Sequence, residues 1–136
     1  GVVLKWQANA AGGSGFNETI QSSSTRVYNN EGGTDTAAEY YASGDQANGT
    51  GEQFLTSGVG NESDECASGI LRLFDPLGTV FQKHFMSDFN CYNDSDYIVH
   101  VMVGGYINTT SAIDELEIKF SAGNIDSGIF TLYGIA

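Results

Sequence analysis

The densest clusters of ligating side chains are two oxygen-rich turns, Asn61 to Glu65 (NESDE) and Asn93 to Asp96 (NDSD). Oxygens from Asn61, Asp64, Asn93, Asp94 and Asp96 are the hard donors that calcium takes. Like charges held close also raise one another's pKa unless a cation intervenes. Neither turn has the spacing of an EF-hand loop, so a calcium site here must be assembled by the fold. The competing reading is that these are solvated turn acids. No other cofactor is implied.

The remaining reactive types are sparse. His84 and His100 are the only histidines, each set within an apparent strand with no acid or cysteine at ligand spacing. No GxSxG-type nucleophile turn occurs. The acidic pairs Asp64-Glu65 and Asp94/Asp96, with Asp114-Glu115 and Glu117, are adjacent in sequence. Adjacency does not place two carboxyls across a cleft, as glycoside hydrolysis requires. The sequence therefore reads as a non-enzyme. Cys66 and Cys91 do not make a disulfide framework. A tight turn at Asp75 to Gly78 would set Cys66 near Ser87 and Cys91 opposite Ile98, too far out of register to bond. Tyr40, Tyr41 and Tyr92 are aromatic platforms for a sugar ring or a neighbouring subunit. Asn-x-Ser/Thr sequons stand at Asn17, Asn48, Asn61, Asn93 and Asn108.

The elements that would position these residues are short strands. At 136 residues, with 40% hydrophobic and 12% aromatic residues, the chain is sized for one domain with a real core. Seventeen acidic side chains against five basic ones give a net charge of -12. Lys5, Arg26, Arg72, Lys83 and Lys119 are scattered, which argues against binding nucleic acid or anionic membranes. No apolar run approaches the roughly 18 to 20 residues of a membrane span. Alternation predicts strands at Val2 to Asn9, Thr79 to Phe89, Tyr97 to Ile107, Leu116 to Phe120 and Ile129 to Ile135, the last closing the domain with Phe130 and Leu132 on the core face. Ala67 to Phe74 pairs with the strand after the Asp75-Pro76-Leu77-Gly78 turn. In that arrangement both acidic turns fall at the end of the sandwich away from Asp75. Phe16 to Tyr28 suits an outer strand or two, Asn29 to Thr34 is a turn, Thr36 to Tyr41 is helical turn or strand, and Ser43 to Gly51 is loop. Gly104-Gly105 suggests a bulge. The expected fold is an all-β antiparallel sandwich of jelly-roll type, spanning residues 1 to 136 as one domain and lacking an opening strand before Gly1.

The segment Gly104 to Ile135 (GGYINTTSAIDELEIKFSAGNIDSGIFTLYGI) resembles the C-terminal end of a family of phage virion structural proteins frequent in marine and cyanobacterial phages, GNIDSGxFxLYGI being its most specific part. AAGGSGFNET at Ala10 to Thr19, ASGDQANGTGEQFLT at Ala42 to Thr56 and the SGxLxLFDPLGT hairpin at Ser68 to Thr79 extend the likeness over most of the chain. The family's usual opening strand is missing upstream of Gly1. The resemblance implies a jelly-roll sandwich on a virion and transfers no catalytic residue. Its implied role is a surface-exposed capsid decoration, fibre or tail-appendage module. Such a module works as a homo-oligomer, such as a trimer, beside other virion proteins. The alternative is a carbohydrate-binding module of a tail fibre that holds host-surface glycans. Gly and Asn around Ile125 would let that residue tuck inward as a plug.

Overall fold

The computed structural model describes residues 1–135. Nine strands make two antiparallel sheets: β1 (Val2–Ala10), β2 (Ile20–Asn30), β3 (Thr36–Tyr40), β4 (Ala47–Gly49), β5 (Gln53–Val59), β6 (Ala67–Leu73), β7 (Lys83–Tyr92), β8 (Tyr97–Ile107) and β9 (Ile113–Phe120). The smaller sheet has the order β5-β1-β9. The larger runs β3-β2-β8-β7-β6, with β4 also paired to β2. The stretch Ser43 to Gly51, expected as loop, instead holds β4, which pairs with β2, and the end of a 3₁₀ turn, Ala42–Gly44.

The sheets pack face to face because each strand buries one side of its alternation. In β7, Lys83, Phe85, Ser87, Phe89 and Cys91 point inward, with His84, Met86, Asp88 and Asn90 outward. In β8, Val99, Val101 and Val103 complete the larger sheet's inner face, and Leu4, Trp6, Ala8 and Leu55 face them from the smaller. Trp6 meets Phe85 edge-on at 4.9 Å. β1 is the middle of its sheet and is buried on both sides. On its outer side the Gln7 amide is held by the carbonyls of Glu18 and Gly51 at 3.0 and 2.9 Å. Lys83 is 1% exposed. Its ammonium donates to the Phe81 carbonyl at 2.7 Å, so a charged strand residue closes one end of the core.

Thr36–Tyr40, open from sequence between helical turn and strand, is strand. Several expectations are corrected. β2 lies between β3 and β8 rather than at an edge, and its Ser22 and Ser24 are buried. Gly104-Gly105 makes no bulge, for β8 pairs without a break on both sides. Gly105 is instead a packing requirement: a Cβ there would lie 2.4 Å from the Gln21 carbonyl and 2.9 Å from Phe85. The Asp75 turn forms, with Gly78 N–H donating to the Asp75 carbonyl at 3.1 Å, but the chain does not return to strand until Lys83. That longer connection moves the register, so Leu71 rather than Cys66 faces Ser87, and Cys91 faces Ala67 and Val99. Both cysteines are free thiols.

The largest correction concerns the C-terminus. Ile129 to Ile135 joins neither sheet. Ile129 is 94% exposed, Leu132 91% and Ile135 93%, with Phe130 and Tyr133 exposed as well. Only Ile125 reaches the core, against which it is half-buried. Alternation alone could not reveal this, because a strand pattern states which side chains would share a face and not whether any edge is there to receive them.

Candidate functional site

The two acidic turns do share one end of the sandwich: Tyr92 N–H, at the last residue of β7, donates to the Cys66 carbonyl, just before β6, at 3.0 Å. Their oxygens are largely committed to turn geometry. Asn93 Oδ1 accepts the N–H groups of Ser95 and Tyr97, both at 3.0 Å. Asp96, at φ +60°, accepts the Tyr92 phenol at 3.0 Å. Asp94 is exposed at the same turn. Asn61 and Asp64 are exposed, and within their turn it is Glu65 that folds back, onto the Glu62 N–H at 2.5 Å. Among the described residues no three His, Cys, Asp or Glu side chains converge as a metal-holding group.

Two tyrosine–carboxylate groups stand at this end: Tyr97 donates to Asp35 at 2.8 Å, and Tyr92 reaches Glu31 at 3.2 Å as well as Asp96. A third pair, Tyr40 donating to Asp45, lies away from it, opposite Thr25 in the middle of β2. In each case the accepting carboxylate pushes the phenol's pKa up. Of the three aromatic platforms expected from sequence, Tyr41 is packed against Phe54 and beneath the Arg26 guanidinium, and Tyr92 is tied at its hydroxyl. Only Tyr40 presents an exposed ring. Asn29, Asn30, Glu31, Tyr92 and Ile98 line a shallow hollow beside these groups.

The outer face of the larger sheet carries a second arrangement that sequence reasoning missed. Strand registers set Arg72, Met86, Gly104 and Ser23 in one cross-strand row, and Ile70, Asp88, Met102 and Thr25 in the next. Gly104 has open space where a side chain would stand, and the rows flank a groove over it. His100 Nε2 lies 2.6 Å from Asp88 Oδ1 at its margin. These two are twelve residues apart in sequence. The β7–β8 hairpin register that joins them was the only signal available, and the expected pairing of Cys91 with Ile98 stood one residue off it. Ile70, Met86, Ile98 and Met102 are exposed here, a neutral, partly apolar surface on a strongly acidic chain. Such a face suits binding rather than covalent chemistry.

No family model, curated protein or solved structure matches the chain. Among the described residues no helix is long and apolar enough to cross a membrane.

Proposed function

We propose that the chain is a structural module of a phage virion, displayed on the particle as a capsid decoration, fibre or tail-appendage module. Its work is assembly with copies of itself and with other virion proteins. The observation that carries this reading is the exposure of Ile129, Phe130, Leu132, Tyr133 and Ile135, the most specific part of the family resemblance. Apolar side chains grouped in so short a segment are costly in water and ordinarily mark a contact surface. A net charge of -12 keeps such a protein dissolved outside the cell and confines close approach between copies to neutral surfaces. The sandwich is read as a jelly roll on its nested pairing, β1 with β9 and β2 with β8, the relation that rolling one long hairpin produces. The reading assigns no catalytic residue and no cofactor.

Antibody-labelled electron microscopy of intact particles tests the proposal. Label on head or tail is expected, and particles that carry none would contradict it. The hollow at Asn29, Glu31 and Tyr92 is where the alternative, a receptor-binding module, would hold a glycan. Glycan binding lost with Tyr92→Ala would favour that alternative.

A further inference from the structure

The sandwich is left open along one side. The row Gln53–Trp6–Ile118 of the smaller sheet lies over the row Ser22–Gly105–Phe85–Leu73 of the larger. Gln53 hydrogen-bonds Ser22 at 2.7 Å and Trp6 meets Phe85, which aligns the rows and sets their last members, Ile118 and Leu73, at the same margin. Both end strands there, β9 and β6, pair on one side only. Leu71, Leu73, Ile118 and Phe120 are only half-buried against the core, and Leu116, on the same face of β9 as Ile118, is 41% exposed. An unpaired strand edge beside incompletely covered apolar side chains is a template for one more strand.

The chain also carries an apolar segment that joins neither sheet. Residues 127–135 contain no charged side chain, and Ile129 to Ile135 hold five large exposed apolar residues in seven positions. We infer that the C-terminal segment of one copy adds as a strand to the free edge of β9 in a second copy, covering Leu116 and closing the β6–β9 margin. The lack of charge in the segment adds nothing at the contact to the repulsion between two chains of net charge -12. Side chains on one face of the added strand enter the margin while its backbone completes hydrogen bonds that β9 leaves open beyond Ile113, whose N–H donates to the Pro76 carbonyl at 2.7 Å. Because the donor segment and the acceptor edge are different surfaces, the contact is heterologous and propagates around a closed ring or along an open array. The inference deepens the assembly reading and rests on it for the identity of the partner as a second copy.

The test uses two variants in a Cys66→Ser background, Leu116→Cys in one and Leu132→Cys in the other, mixed and treated with a short bis-maleimide. Cys91 is buried and stays unmodified. A covalent dimer containing one chain of each kind is expected. Absence of that dimer overturns the inference. So does a Leu116→Cys/Leu132→Cys double variant that links within one chain at every dilution, because the segment then folds back on its own sandwich. A third variant, Phe130→Asp/Tyr133→Asp added to the Leu132→Cys partner, separates misfolding from lost contact: both side chains lie outside the core, so an unchanged circular dichroism spectrum with no cross-linking is expected. Each negative result would leave antibody labelling of particles unaffected, so failure here is distinguishable from failure of the virion reading.

Discussion

Trp6 stands edge-on to Phe85, ring centroids 4.9 Å apart and planes at 80°, and through this pair the middle strand of the smaller sheet is fixed over β7. Trp6 is fully buried, and its indole N–H has no partner among the described residues, so its worth lies in apolar packing. Trp6→Ala should cost about 3–5 kcal/mol, and Trp6→Phe clearly less because it keeps an aromatic ring and strands no hydrogen-bond partner. Urea unfolding followed by circular dichroism checks both.

The paired glycines of β8 should behave oppositely. Gly105→Ala drives a methyl into the Gln21 carbonyl and Ser22, at 2.4 and 2.7 Å, and should lose about 1–3 kcal/mol. Gly104→Ala enters open space above the outer groove and should leave the unfolding midpoint close to that of the parent chain. The difference between the two midpoints is the measurement.

Much of the architecture was legible in the sequence, and the failures have a common cause. β1, β7, β8 and β9 were readable because apolar and polar residues alternate through Leu4 and Trp6, Phe85 and Phe89, Val99 to Val103, and Ile118 and Phe120. Pairing was harder. Nothing local in Thr79 to Gln82 marks it as loop, yet misplacing the start of β7 shifted the partner of Ser87 from Leu71 to Cys66, and a one-residue slip in the β7–β8 hairpin hid the His100–Asp88 contact. Ser22 and Ser24 looked like solvent-facing residues because their type is polar, whereas β2 is an interior strand that turns them into the sandwich. The acidic turns were placed correctly at one end, but the sequence could not show that Asn93 and Asp96 spend their oxygens on their own turn.

Acid should weaken one link between the sheet's edge and its covering loop. Glu52 is held below its usual carboxyl range, first by its hydrogen bond with Lys119 at 2.7 Å and further by the charge of Lys5. A carboxylate with a lowered folded-state pKa contributes stability above its unfolded value, and that contribution disappears as pH falls through the lowered one. Glu52→Gln should therefore reduce stability slightly at neutral pH and converge with the parent chain once the pH is below the carboxylate range. Denaturation midpoints across that range decide it, and a constant difference at every pH would contradict the assignment.

The two thiols should react differently although they sit close to one another across the β6–β7 pair. Burial pushes the Cys91 thiol up and shields it, whereas Cys66 is exposed. Under native conditions iodoacetamide should alkylate Cys66 alone, and Cys91 should react only after unfolding. Peptide mass mapping reads the result, and equal labelling would mean that the β5–β7 packing over Cys91 opens readily.

Assembly through exposed apolar surface is the central claim, and sedimentation velocity over a concentration series tests it most directly. The full chain should sediment as a larger species as concentration rises, and the chain ending at Gly128 should remain a monomer with the same fold. A full chain that stays monomeric at every concentration, or a truncated chain that associates equally well, would contradict the account.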